Sequence, residues 1–194
     1  GRGAMRYLLA ISLPAAIGVT LLAEPILQLL YGPGFRTAAY TLSVLILTLI
    51  PYGFVRYHAY VLLGANHQRV DLILNIVMSA LNILLNLFLI PRYGHLGAAI
   101  ATLISICAYG TFQYVYLLRN LPGRAAQISV PLAVVFACVM LTLFVWFAGT
   151  YNVILVIGFG TLLYGVCLIF GGFLSDTELK LLGFHRLCSW IKRF

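Results

Sequence analysis

The sequence predicts an all-α protein: a polytopic membrane bundle of about six helices, followed by an amphipathic helix at the membrane surface. Three observations carry that expectation. Hydrophobic residues make up 63% of the 194-residue chain and charged residues 8%, too little charge to cover a soluble domain. The apolar residues gather into six long runs, each near the roughly 20 residues that cross about 30 Å of hydrocarbon. Short alternating segments of the membrane β-barrel kind do not occur, so backbone groups in lipid must be satisfied within helices.

The first span is expected over Tyr7–Leu30 and contains Pro14; a proline removes a backbone donor and can bend its helix. Glu24-Pro25 nears the far end of this span, as an interfacial acid or as a proton or cation site. Gly and Pro in Tyr31-Gly32-Pro33-Gly34-Phe35-Arg36-Thr37 then supply a tight turn. The second span, Ala38–Leu63, carries Pro51 and a stripe in which Thr48, Tyr52, Arg56 and Tyr60 repeat every four residues. The third, Leu72–Ile90, carries a ladder of Asp71, Asn75, Ser79, Asn82 and Asn86 at steps of four, four, three and four.

After Pro91-Arg92-Tyr93-Gly94-His95-Leu96-Gly97 comes the fourth span, Ala98–Leu118, with Thr102, Ser105, Tyr109, Gln113 and Tyr116 at steps of three, four, four and three. Gly97, Ala101, Ser105 and Ala108 make a small-residue face suited to close helix packing. The fifth and sixth spans, Ile128–Ala148 and Val153–Phe173, are joined by Gly149-Thr150-Tyr151-Asn152, and Gly158, Thr161 and Gly165 form a second small face. The organisation is thus a six-helix region over 1–174 and a tail over 175–194. In the tail, Ser175 and Glu178 have capping-box spacing. Leu179, Leu182, Leu187, Trp190, Ile191 and Phe194 then oppose Lys180, Arg186, Lys192 and Arg193, as in a helix lying on anionic membrane lipids.

The net charge of +8 is distributed unevenly. In the six-span reading Arg2, Arg6, Arg69, Arg119, Arg124, Lys180, Arg186, Lys192 and Arg193 share one side. Only Arg36 and Arg92 fall on the other, with Arg56 inside a span. This positive-inside bias puts both ends in the cytoplasm. Bases scattered over short loops do not suit a nucleic-acid partner. The chain opens on Gly1-Arg2-Gly3-Ala4-Met5-Arg6, without an initiator Met or a signal-peptide pattern, so it is expected to be a piece of a longer protein. The outer connections are too short to fold into a domain, which disfavours a polymerase or ligase.

No catalytic constellation emerges. His58, His67, His95 and His185 lie in separate segments, and Asp71, Asp176, Glu24 and Glu178 are the only acids. Neither set has metal-ligand or acid–base spacing, so no enzyme activity, metal or cofactor is expected. Cys107, Cys138, Cys167 and Cys188 read as small apolar residues. What remains is polar stripes on three consecutive helices. Side chains three and four apart share a face, so these stripes either hydrogen-bond helix to helix or line a hydrated cavity. Arg56 lies seven residues from the end of its span, about 10 Å at 1.5 Å per residue. There it either snorkels to the surface or grips phosphate through paired donors.

The ordered motifs also carry a resemblance. Pro25-Ile26-Leu27-Gln28-Leu29-Leu30-Tyr31-Gly32-Pro33-Gly34-Phe35 follows a Pro-bearing helix, and Leu62-Leu63-Gly64-Ala65-Asn66-His67-Gln68 closes the next. An Asn-bearing helix then ends on Ile90-Pro91-Arg92-Tyr93-Gly94-His95-Leu96-Gly97-Ala98-Ala99-Ile100-Ala101-Thr102. Over about residues 7–118 this resembles the C-terminal half of a polysaccharide-biosynthesis or O-antigen-type flippase. That group belongs to the multidrug/oligosaccharidyl-lipid/polysaccharide exporter superfamily.

The resemblance implies a bacterial inner-membrane exporter with two helical lobes around a cavity, moving lipid-linked oligosaccharide by alternating access. It implies that Arg56, flanked by Tyr52 and Tyr60, meets a polyprenyl diphosphate. Asn75, Ser79, Asn82, Asn86, Tyr109 and Gln113 would then face the glycan. Two rivals remain: a drug or cation antiporter of the same superfamily using Glu24 or Asp71, and a non-transporting scaffold that docks glycan-assembly enzymes.

Overall fold

A computed structural model describes residues 2–122, 132–148 and 153–170. Every regular element among them is helical, in the order α1 (Arg2–Tyr31), a 3-10 turn (Pro33–Ala38), α2 (Ala39–Leu47), α3 (Leu49–Gly64), α4 (Gln68–Tyr93), α5 (His95–Asn120), α6 (Leu132–Ala148) and α7 (Val153–Phe170). Four stretches are long and apolar enough to cross a membrane: Tyr7–Tyr31, Pro33–Gly64, Gln68–Tyr93 and His95–Asn120. Helices α6 and α7 have 17 and 18 residues. The expected surface helix over 175–194 lies outside the described residues, as do 128–131, 149–152 and 171–173 of the last two spans and their connection.

The chain forms two compact units, Gly1–Ser129 and Val130–Phe194. In the first, α5 is the central strut, packing on α2, α3 and α4, while α1 packs on α2 and α3. Val55, Met78 and Tyr109 form a buried cluster joining α3, α4 and α5. Around it, large apolar side chains face outward. On α4 alone Leu72, Ile73, Ile76, Ile83, Leu87 and Phe88 are exposed, an apolar surface that water would not tolerate and lipid would.

The second span departs from the expected single helix. It breaks at Thr48, whose N–H and hydroxyl both turn to the Leu45 carbonyl, at 3.1 and 2.6 Å. Pro51 explains the position: it has no N–H to return to Leu47, and it sits within the first turn of α3, where no such donor is needed. Pro14 and Pro25, by contrast, lie inside the continuous α1. Helices α4 and α5 extend up to a turn beyond their expected apolar limits.

Two tight turns set the hairpins. At the end of α3, His67 N–H reaches the Leu62 carbonyl at 2.8 Å and Asn66 N–H the Leu63 carbonyl at 3.1 Å. With Asn66 at φ 61°, this is a Schellman cap, and Asn is among the few side chains that tolerate that angle. Gly94, at φ 57°, turns α4 into α5. Three residues on, Gly97 is buried with its α-carbon against the α4 backbone; a Cβ there would run into the Leu89 carbonyl. The expected small face of α5 is therefore the α4–α5 seam, with Ala101 and Ser105 buried along it.

In the second unit, Val134, Cys138, Leu141 and Val145 of α6 and Val156 and Tyr164 of α7 are buried. A Cβ on Gly160 would meet Leu141 at 3.1 Å. The packing face of α7 thus runs through Gly160, at a spacing of four. Gly158 and Thr161, expected there, are exposed instead, because they lie around the helix from that row.

Gly97→Ala forces the Cβ into main chain that has no rotamer with which to yield. It is expected to destabilise the fold by about 1–3 kcal/mol, read as a lower thermal unfolding midpoint in detergent, with Gly97→Val lower still. Asn66→Gly should be neutral or mildly stabilising in the same assay, and Asn66→Val destabilising.

Candidate functional site

The α4–α5 seam opens into a groove of about 330 Å³ lined by Asn75, Met78, Ser79, Asn82 and Ile83 from α4 and Thr102, Ser105, Ile106 and Tyr109 from α5. Its size falls at the lower end of the roughly 300–1,000 Å³ of ligand pockets. Two of the expected stripes meet here, since spacing by three and four keeps each on one side of its helix.

The polar groups on α4 do not bridge to α5 as a row. They pair along their own helix: Ser79 Oγ donates to Asn75 Oδ1 at 3.4 Å, and Asn86 Nδ2 to Asn82 Oδ1 at 2.9 Å. On α5, Thr102 and Ser105 donate back to the carbonyls of Ala98 and Ala101 at 2.9 and 2.8 Å. This is the usual local outlet for a hydroxyl in a helix.

At one end of the groove the two helices are tied directly. Asp71 Oδ1, in the first turn of α4, accepts from Tyr109 Oη at 2.9 Å and from Gln113 Nε2 at 2.6 Å. Beyond this knot, His67 Nδ1 meets Tyr116 Oη at 2.7 Å. Sequence spacing put Asp71 on the ladder without revealing it as the shared acceptor. The signal was present in Tyr109 and Gln113, which are four apart and so reach one point from the same face.

The other expected site residues are placed as follows. Gln113 is fully buried behind Tyr109, outside the groove lining. Asn86 is half-buried one turn beyond Asn82. Tyr52, Arg56 and Tyr60 form an exposed stripe on α3, outside the groove lining, with the Arg56 guanidinium carbon 5.1 Å from the Tyr52 ring centre. That is cation–π range.

Glu24 is held at the 3-10 turn by an ion pair with Arg36, and Gln28 Nε2 donates to it at 3.1 Å. His58 is buried, with its ring 5.9 Å from that of Tyr114. It lines a second, mainly apolar pocket of about 310 Å³ with Pro51, Phe54, Cys107, Gly110, Thr111 and Tyr114. No group of three or more His, Cys, Asp or Glu gathers among the described residues.

Asp71→Leu removes the acceptor shared by two buried donors. It should cost about 1–3 kcal/mol for each donor left unpaired, measured as a drop in thermal unfolding midpoint. Asp71→Asn keeps an acceptor and should cost less, so equal losses in both variants would contradict the bonded knot.

The chain is similar to known flippases. The protein named "Probable flippase AglR" from Haloferax volcanii is 31% identical over 130 residues, which cover 64% of this chain and 26% of that protein. The chain therefore matches about a quarter of that relative's length. The family model described as the lipid II flippase MurJ matches residues 2–166. That match spans most of the helical region, so the chain belongs to the MurJ lipid II flippase family.

Proposed function

We propose that this chain is the C-terminal part of a flippase. The intact protein would move a saccharide carried on a polyprenyl diphosphate from the cytoplasmic to the outer leaflet, for cell-surface polysaccharide synthesis. The observation that carries this reading is the polar groove between two membrane-length helices in a chain of flippase family. A sugar head group crosses hydrocarbon at prohibitive cost unless side chains replace its water. The groove provides six polar side chains for that replacement. Arg56, on an open α3 face and backed by Tyr52, has the fork of donors that suits a diphosphate. The reading includes alternating access, a bacterial plasma membrane, both ends of the chain in the cytoplasm and a surface-bound C-terminal helix. Docking of glycan-assembly enzymes is compatible with it.

An ion-coupled drug antiporter would need free acids within the membrane. Glu24 is ion-paired with Arg36, and one Asp71 oxygen serves two donors, which favours the saccharide reading.

Arg56→Ala in the full-length protein is expected to cut complementation of surface-polysaccharide export at least ~10-fold, the scale of one lost charge-assisted contact. Membrane insertion should be unchanged and Arg56→Lys intermediate; normal export with Arg56→Ala would remove this residue from the path. Single cysteines at 75, 79 and 82 should react with a water-soluble thiol reagent, whereas one at 77 should not. Uniform protection of all three would mean a sealed, dry seam.

A further inference from the structure

The hydrogen-bond directions in the groove, more than its polarity, say what it can hold. Four hydroxyls line it, and each has its single proton directed inward to the protein. Thr102 donates to Ala98, Ser105 to Ala101, Tyr109 to Asp71 and Ser79 to Asn75. A hydroxyl offers one donor and two acceptor lone pairs. What these four present to the groove is therefore oxygen lone pairs. The side-chain oxygens of Asn75 and Asn82 already accept from Ser79 and Asn86. Only the two amide nitrogens are left to donate.

We propose that the groove is a specificity site for an uncharged, hydroxyl-rich sugar ring, and that it discriminates against a carboxylate-bearing sugar. The proposal rests on the saccharide reading above and narrows it. A neutral ring brings its own O–H donors, which the wall of lone pairs accepts. A carboxylate brings only acceptors; beyond the Asn75 and Asn82 amide N–H groups it would face oxygen lone pairs in a partly desolvated groove. A cation would also welcome lone pairs, but no carboxylate lines the groove. The nearby acid, Asp71, is already engaged by Tyr109 and Gln113. The division of labour follows from charge. Arg56 stands outside the lining, next in sequence to Val55, which packs with Tyr109, so an anionic diphosphate and a neutral ring would occupy separate, adjoining places.

The test uses the full-length protein in nanodiscs and two probes, a short-chain prenyl diphosphate bearing glucose and the same lipid bearing glucuronic acid. The glucosyl lipid should bind at least ~10-fold tighter, the scale of one or two hydrogen bonds made or left unmade. Thr102→Val with Ser105→Ala should bring that ratio close to one, while Thr102→Ser, which keeps the oxygen, should preserve it. Arg56→Ala should weaken both lipids and leave the ratio standing. An undiminished ratio with no Arg56 effect would fault the diphosphate contact alone. Equal or tighter binding of the glucuronyl lipid would overturn the proposal, as would a ratio that survives loss of both α5 oxygens, or no binding of either lipid. Replacing sodium by choline should not change the ratio; dependence on sodium would make this a cation site and overturn it too.

Discussion

The α4–α5 seam is the contact on which the rest of the first unit depends. It exists because Gly97 allows the start of α5 to lie directly on the α4 backbone at Leu89. In hydrocarbon there is no water-driven attraction between apolar helices, so close contact and internal hydrogen bonds must hold them. Backbone-to-backbone approach at one end and the Asp71–Tyr109–Gln113 knot toward the other fix α5 against α4 over most of their length. The groove lies between these two fixed ends. The stability of the pair therefore does not rest on closing the groove.

The polarity of the site is distributed differently from a conventional binding pocket. Along α4 and α5 the side chains satisfy themselves within their own helices, as Asn82 and Asn86 do with each other and Ser105 with the Ala101 carbonyl. Such pairing lowers the cost of placing amides and hydroxyls in an apolar bundle. It also directs most of them along their own helices and not across the seam. On α3 the solution differs: Arg56 lies over the Tyr52 ring on an exposed face. A guanidinium at that depth requires protein, water or an anion beside it.

Much of this was legible from residue order. The 3.6-residue period places Asn75, Ser79 and Asn82 on one side of α4 and Thr102, Ser105 and Tyr109 on one side of α5, and the structure gathers all six in one groove. The close-packing role of Gly97, Ala101 and Ser105 could be read from their spacing and small size. Three features could not. The break at Thr48 needs the competition between Pro51 and the Leu47 carbonyl, and an unbroken apolar run conceals it. Burial of Gln113 depends on what packs over it, which periodicity does not encode. On α7 the glycine that matters is Gly160, whereas the pattern of small residues pointed to Gly158 and Gly165, because a glycine's worth depends on which neighbour arrives beside it.

The discontinuity at Thr48 has a mechanical consequence. An unbroken helix resists bending because every turn is stitched to the next, and here one stitch is absent by chemistry. The two hairpins that follow are closed by tight turns, one by a capped two-residue reversal at Asn66 and the other by Gly94. The junction of α2 and α3 is therefore one place where the first unit can bend at low cost, as the prolines inside α1 are others.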